Sequence, residues 1–158
     1  MEASKDIADR AEKLLTANYA AYYRLAYSYL QSEADALDAV QESACKVIRD
    51  CSRLRNPEYL ETWIYRIVIN TALDMLRSRK REWVSEEIPE AAAEDRYSEV
   101  DLKMCLGQLD EKSRTVIILR YFEDRKLDEI AAILEENVNT VKARLYRSLR
   151  RLREQMSA

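Results

Sequence analysis

The stretch LDEIAAILEENVNTVKARLYRSLRRLRE, residues 127–154, decides the fold of this chain. Apolar residues recur at helical spacing from Leu127 to Leu134 and again from Val138 to about Met156, and only a few residues separate the two segments. Two short helices joined so closely have the length and spacing of a helix-turn-helix, whose second helix enters the major groove of DNA.

The second of these predicted helices has two different faces. One narrow stripe is apolar and consists of Val141, Leu145, Leu149, Leu152 and Met156. The opposite side is mostly basic and holds Ala143, Tyr146, Arg147 and Arg150, flanked by Lys142, Arg144, Arg151 and Arg153. Clustered cations neutralise phosphates, and side chains near the start of such a helix reach the bases. A solvated basic face is the plain alternative, but the apolar segment EIAAIL just before it favours DNA binding.

The composition excludes several classes of protein. The 158 residues include no His, one Gly and two Pro, so a His base, a His metal ligand and a Gly-rich phosphate loop are all excluded. Scarce turn residues argue against a sandwich or barrel and leave an all-α fold. The three cysteines, Cys45, Cys51 and Cys105, include no C-x-x-C pair. We therefore expect reduced thiols, no metal or cofactor held by His, paired Cys or a Gly-rich loop, and no His-based catalytic residues.

The charge is segregated along the chain. Residues 1–81 carry 13 basic and 12 acidic side chains, residues 82–111 carry 2 and 10, and residues 112–158 carry 11 and 7. This pattern suggests separate partners for separate parts, one of them a polyanion. The longest uncharged stretches are far shorter than the roughly 20 residues that a membrane span needs. The polar, acidic N-terminus is unlike a signal peptide, so we expect a cytoplasmic protein without membrane insertion.

The rest of the chain divides into predicted helices and a linker. A helix starts near Thr16 and ends at Leu30, and Ser32 is a good N-cap for another that ends at Asp50. The inner stripe of that second helix is predicted to hold Leu37, Val40, Ala44, Val47, Ile48 and Cys51. Asn56-Pro57 starts a long helix over 57–82. Residues 83–97 are acidic and read as a linker, after which Ser98 and Asp110 cap helices that end at Leu106 and Phe122.

The long helix mixes aromatic and basic residues. Tyr59, Trp63, Tyr65 and Arg66 lie near its start, and it ends in the basic run Arg77–Arg81. Single-stranded nucleic acid binds by stacking its bases on aromatic rings while cations follow the backbone. Taken singly, Trp63, with Ile67 at i+4, is more typical of an ordinary core residue.

Three segments resemble the bacterial sigma-70 family, in its small extracytoplasmic-function (ECF) group. They are ADALDAVQESACKVI (34–48), YLETWIYRIVINTALDMLRSRKR (59–81) and the stretch quoted at the outset. The resemblance implies two small helical domains joined by an acidic linker. Residues 1–82 would form a sigma region 2 domain, 83–98 the linker, and 99–158 a sigma region 4 domain that contains the helix-turn-helix. Such a protein is not an enzyme but a promoter-specificity subunit of RNA polymerase, often in a stress response.

The resemblance also implies roles for individual residues. The face that would dock on the β′ clamp helices of RNA polymerase comprises Asp35, Asp38, Gln41 and Glu42. The set that would bind and open the minus-ten element comprises Arg53, Arg55, Asn56, Tyr59, Trp63, Asn70, Arg77, Arg79 and Lys80. The set that would face the minus-thirty-five element comprises Lys142, Ala143, Arg144, Tyr146, Arg147 and Arg150. Region 4 would also sit on the β flap, and an anti-sigma factor, membrane-anchored in some members, would be a partner.

This sequence departs from the family pattern at three positions. Glu135 stands where the family usually has Gly in the tight turn, and a non-Gly residue at positive φ costs about 1 kcal/mol. Asn139 replaces a small residue, and Ala143 replaces a Ser that could donate a hydrogen bond to a base. Two other functions stay open: a stand-alone helix-turn-helix regulator with residues 1–82 as a sensor or dimerisation domain, and a helical adaptor that does not bind DNA.

Overall fold

The computed structural model describes residues 2–83 and 109–157, and within those ranges it contains helices and turns but no strand. The all-α prediction is confirmed for this part of the chain. The chain forms two compact units, Met1–Glu86 and Glu87–Ala158. The predicted acidic linker beyond Trp83 and the predicted helix from Ser98 lie outside the described residues.

The first unit is a bundle of four helices. They are α1 (Glu2–Ala17), α2 (Tyr19–Leu30), α3 (Glu33–Asp50) and α4 (Leu60–Trp83), and the connector between α3 and α4 contains the 3₁₀ turns Cys51–Arg53 and Pro57–Tyr59. Helices α2, α3 and α4 pack against one another, and α1 packs across them and against the first 3₁₀ turn. In the centre, the buried rings of Tyr22 and Tyr65 meet edge to face with centroids 5.3 Å apart.

Local capping fixes where these helices begin. The Ser32 hydroxyl accepts a hydrogen bond from the backbone N–H of Asp35 at 3.3 Å, so the predicted N-cap of α3 is confirmed. The side chain of Asn56 accepts one from the N–H of Glu58 at 3.1 Å. The predicted Asn-Pro start is therefore confirmed, although its first turn is 3₁₀ and α4 proper starts at Leu60.

The buried face of α3 differs from the predicted one. Leu37 and Ile48 are 38% and 48% exposed. Val40 and Val47 are buried as predicted, and Ala36, Ala39 and Ser43 complete the buried face. Small side chains allow α2 and α4 to pack closely on this face, and the buried Ser43 hydroxyl is satisfied by the carbonyl of Ala39 at 2.6 Å. The prediction is therefore wrong at Leu37 and Ile48, and it omitted the small side chains of the buried face.

The sequence analysis missed α1 altogether. This helix has a narrow apolar stripe in which Ile7 and Ala11 are buried, while most of its other residues are polar. The Arg10 guanidinium donates a hydrogen bond to the carbonyl of Pro57 at 3.3 Å, so α1 also braces the connector that precedes α4. The i, i+4 spacing of Ile7 and Ala11 was the available signal, but the surrounding charges obscured it.

The second unit is built on the helix-turn-helix. It contains α5 (Glu111–Ile117), a π-helical turn (Ile118–Phe122), α6 (Leu127–Leu134) and α7 (Val138–Ser157). The predicted bounds of α6 are confirmed, and α7 ends one residue beyond its predicted end. The helix predicted from Asp110 to Phe122 is present, with its last turn widened to π. Its core contains Val116, Leu119, Ile130, Val141 and Leu145, whereas Met156, predicted on the inner stripe, is 56% exposed.

Within residues 2–83 and 109–157, no helix combines the length and the apolarity that crossing a membrane requires. No cluster of three or more His, Cys, Asp or Glu side chains in those ranges is arranged to hold a metal ion. Cys45 and Cys51 are free thiols, the first exposed and the second buried.

Candidate nucleic-acid and protein interfaces

The turn of the helix-turn-helix contains the residue that the sequence analysis singled out. Glu135 ends α6 in the left-handed conformation, with φ 56° and ψ 42°. The next N–H, of Glu136, bonds to the carbonyl of Ala131 at 3.0 Å and closes the turn. The side chain of Asn137 then accepts a hydrogen bond from the N–H of Asn139 at 2.8 Å at the start of α7. The expected positive φ at a non-Gly residue is confirmed.

Helix α7 presents one outer face to solvent. Val141, Leu145, Ser148 and Leu152 turn inward and are buried. Five of the six residues predicted to face the minus-thirty-five element are exposed on the outside: Lys142, Ala143, Tyr146, Arg147 and Arg150. This face combines three cations with a tyrosine ring that is 55% exposed, so it can contact both phosphates and base edges.

The sixth residue, Arg144, does not belong to that face. Its side chain is 18% exposed, and its two terminal nitrogens lie 3.3 Å from Oδ2 of Asp110 and 3.7 Å from Oε2 of Glu136. Lys112 Nζ lies 3.0 Å from the other oxygen of Glu136. A hydrogen bond from Ser113 and the nearby Arg144 charge lower the pKa of Asp110. Its role as a DNA contact stays a prediction, and in this structure carboxylates of its own unit engage it.

Four of the nine residues predicted to bind the minus-ten element lie on the connector between α3 and α4. Arg53, Arg55, Asn56 and Tyr59 are all exposed there, and the Tyr59 ring is 52% exposed. Trp63 follows one turn later and is half-buried, so its ring is part core and part surface. Asn70 and Arg77 are exposed farther along α4. The structure thus places the half-exposed Tyr59 ring on a connector that carries exposed cations.

Arg79 is separate from this set. Its Nη1 donates a hydrogen bond to the carbonyl of Leu30 at 2.8 Å and lies 3.1 Å from Oδ2 of Asp35. Arg79 therefore links α4 to the corner between α2 and α3, and its role as a DNA contact stays a prediction. The Lys80 side chain lies outside the described residues.

The predicted polymerase-binding face on α3 is both acidic and apolar. Asp38, Gln41 and Glu42 are exposed, while Asp35 is half-buried against Arg79. The exposed Leu37 and Ile48 of the same helix add apolar area to its solvent side. Sequence reasoning missed that contribution because it had assigned both residues to the core.

Comparisons with known proteins agree with this arrangement. The sigma-70 region 2 family model matches residues 14–82, and the sigma-70 region 4 model matches residues 99–152. RNA polymerase sigma factor SigV of Bacillus subtilis is 46% identical over 140 residues, which cover 86% of this chain and 84% of SigV. The ECF RNA polymerase sigma factor SigW of the same organism is 28% identical over 153 residues, with 85% and 82% coverage.

A solved structure is also similar over nearly the whole chain. The sigma factor RpoE of Bartonella quintana, crystallised with the anti-sigma factor NepR, superposes with a TM-score of 0.76 at 25% identity. The match covers 95% of this chain and 98% of RpoE. The chain therefore belongs to the sigma-70 family, in its ECF group of RNA polymerase sigma factors.

Proposed function

We propose that this sigma factor directs RNA polymerase to promoters by reading two DNA elements with two separate surfaces. The observation that carries the proposal is the outer face of α7, where Lys142, Arg147 and Arg150 surround Ala143 and Tyr146 while the opposite stripe is buried. That face would enter the major groove at the minus-thirty-five element. In the proposed division of the chain, residues 99–158 read this element, residues 1–82 read the minus-ten element, and residues 83–98 link them.

The connector before α4 would bind the opened minus-ten strand. Its exposed cations, Arg53 and Arg55, can follow the backbone, and the exposed Tyr59 ring can stack on an unpaired base. Unstacking a base costs a few kcal/mol, which contacts of this kind can offset. Opening a promoter in this way requires binding energy and no reacting side chain, so we infer that the protein acts without enzymatic activity.

Helix α3 would dock on the polymerase. Its solvent side combines the carboxylates of Asp38 and Glu42 with the apolar Leu37 and Ile48. Charges at the rim of an interface steer association and fix register, while apolar side chains supply desolvation energy. We assign this face to the clamp helices of the β′ subunit, and the second unit to the β flap.

Two further expectations follow from this assignment. The similar RpoE was crystallised with an anti-sigma factor, and we propose a partner of that class, either free or membrane-anchored, for this chain too. A promoter-specificity subunit must work where RNA polymerase meets the chromosome, which places this protein in the bacterial cytoplasm.

The decisive experiment is run-off transcription with purified bacterial core polymerase on a library of random promoter sequences. We expect the protein to enrich promoters with two separate elements, and to transcribe nothing when core polymerase is absent. Tight binding to DNA by the protein alone, with no effect on transcription by core polymerase, would favour the stand-alone regulator. An absence of any DNA dependence would favour the helical adaptor.

A further inference from the structure

We propose that Arg144 is a positioning residue: together with Asp110, Lys112 and Glu136 it sets the direction in which α7 presents its base-reading side chains. We call these four side chains the ionic network. The inference deepens the proposed function and rests on it, since it concerns how the minus-thirty-five element is discriminated.

The ionic network joins three elements of the second unit. Asp110 directly precedes α5, Glu136 lies in the turn between α6 and α7, and Arg144 lies on α7 itself. The charges alternate along it. The Asp110 carboxylate lies 3.3 Å from Arg144, Arg144 lies 3.7 Å from Glu136, and Glu136 lies 3.0 Å from Lys112. Movement of α7 relative to either neighbour would lengthen at least one of these contacts.

Two members of the ionic network, Glu136 and Arg144, are much more buried than the other two. The side chains of Glu136 and Arg144 are 14% and 18% exposed, whereas those of Asp110 and Lys112 are 62% and 64% exposed. Removing one member of a buried pair leaves the other charge poorly compensated, which is strongly unfavourable. A planar guanidinium suits two carboxylates better than an ammonium does. A phosphate that engaged Arg144 would compete with the carboxylates of Asp110 and Glu136.

The position of Arg144 on α7 explains why this matters for DNA reading. Ala143 immediately precedes it and Arg147 follows three residues later, and both are exposed. Successive residues of a helix are about 100° apart, because 3.6 residues complete a turn. Contacts that fix the direction of Arg144 around the axis of α7 therefore also fix the directions in which Ala143 and Arg147 project. Glu136 follows Glu135 directly, so the network also holds the end of the turn that contains a non-Gly residue at φ 56°.

The two possible roles of Arg144 predict effects of opposite sign. If Arg144 were a phosphate contact held back by its carboxylates, then Asp110→Asn and Glu136→Gln would release it and strengthen transcription from every sequence. If it is a positioning residue, the same changes make the protein more positive and yet reduce its discrimination among minus-thirty-five sequences. General electrostatics alone would not produce that loss.

The test uses the full-length chain with core polymerase and a promoter that the wild-type protein selects from a random library. Discrimination is the ratio of run-off transcription from this promoter to transcription from the same promoter with a scrambled minus-thirty-five element. It is measured for Arg144→Gln, Glu136→Gln, Asp110→Asn and the double variant Arg144→Gln/Glu136→Gln. Matched controls are Asp128→Asn, an exposed carboxylate on α6, and Arg151→Gln, an exposed cation on α7.

We expect each variant at Arg144 or Glu136 to lower discrimination about fivefold, the order of magnitude of coupling within one ion-pair network. The double variant should lose no more discrimination than either single variant. The discrimination of Arg144→Lys should lie between that of the wild type and that of Arg144→Gln. Asp128→Asn should keep wild-type discrimination. Arg151→Gln should weaken transcription from both promoters alike and lower the salt slope by about one, as expected for one phosphate contact.

Three outcomes would overturn the inference. One is that Glu136→Gln increases transcription from all sequences without loss of discrimination. The second is that Arg144→Gln behaves like Arg151→Gln and lowers only the salt slope. The third is that the isosteric Glu136→Gln retains its helical circular dichroism and the full wild-type discrimination. A wild-type protein that selects no promoter would instead overturn the proposed function, and the inference with it.

Discussion

Arg79 Nη1 on α4 lies 3.1 Å from Oδ2 of Asp35 in the first turn of α3, and both side chains are mostly buried. The sequence resemblance assigned these two residues to different partners, Arg79 to promoter DNA and Asp35 to the polymerase. The structure pairs them with each other. Because Arg79 also bonds to the carbonyl of Leu30 at the end of α2, this one side chain joins three helices of the first unit.

Arg79→Ala should therefore destabilise the first unit. A hydrogen bond to a charged group contributes roughly 1.5–3 kcal/mol, and Arg79 makes contacts of this kind with two acceptors. Asp35→Ala should lower the free energy of unfolding by less, since the carbonyl of Leu30 still accepts a hydrogen bond from Arg79. The measurement is urea unfolding of the full chain, followed by circular dichroism. Arg77→Ala, at a site that is 58% exposed and 3.7 Å from Asp74, is the control and should cost under about 1 kcal/mol. Strictly additive effects of Arg79→Ala and Asp35→Ala would contradict the pairing.

The double variant Asp38→Arg/Glu42→Arg should abolish formation of the complex with core polymerase. Both carboxylates are exposed on the solvent side of α3, and reversing them places like charges against a surface that attracts acidic groups. Co-purification with core polymerase measures the effect, and helical circular dichroism should not change. Asp9→Arg/Glu12→Arg on α1 reverses the same number of exposed charges and should leave the yield of the complex intact. An unchanged yield from the α3 variant would remove α3 from the interface.

Tyr59→Ala should impair promoter opening, while Tyr59→Phe should not. The ring is 52% exposed on the connector, and stacking of a base on an aromatic ring contributes about 1–3 kcal/mol. We expect roughly a tenfold loss of permanganate-reactive thymines at the minus-ten element for the Ala variant. Tyr121→Ala removes a similarly exposed ring, 55% accessible, from the second unit and serves as the control. Equal losses in Tyr59→Ala and Tyr59→Phe would show that the hydroxyl matters and not the ring.

Arg147→Ala and Arg150→Ala should have different effects, although both side chains are exposed on the outer face of α7. Arg147 lies closer to the helix start, where a side chain can reach a base edge, whereas Arg150 should reach only the backbone. Losing a bidentate base contact costs about 1–3 kcal/mol and relaxes specificity, but losing a phosphate contact weakens all sequences alike. Run-off transcription over a library of minus-thirty-five variants at two salt concentrations distinguishes them. Identical sequence profiles for the two variants would rule out different roles for Arg147 and Arg150. As a control, both variants should still bind core polymerase.

Glu135→Gly should stabilise the second unit by about 1 kcal/mol, because glycine adopts a positive φ without a steric penalty. Thermal unfolding of the full chain measures the change. Lys126→Gly is the control, since Lys126 precedes α6 at φ −74°, where glycine gains no steric advantage and adds only entropy to the unfolded chain. A drop in melting temperature for Glu135→Gly would mean that the Glu135 side chain contributes more than its backbone strain costs.

Most of the helical framework could be predicted from the sequence because it depends on local interactions. The apolar spacing of α6 and α7, the hydroxyl of Ser32 and the Asn56-Pro57 pair act within one or two turns of the chain. Periodicity and capping are properties of neighbouring residues, so reading them requires no knowledge of tertiary packing. The largest omission, α1, occurred where the apolar stripe was too narrow to stand out.

The sequence by itself determined the all-α fold, the helix-turn-helix and the basic outer face of α7, since each follows from residue spacing. Only the tertiary structure decided which face of α3 is buried and which arginines pair with carboxylates of their own unit. Arg144 and Asp110 are 34 residues apart, and a comparable separation divides Arg79 from Asp35. On a helical wheel Arg144 and Arg79 cannot be distinguished from the exposed basic residues beside them. Whether an arginine pairs with a carboxylate depends on the distance between elements that are remote in sequence, and folding alone sets that distance.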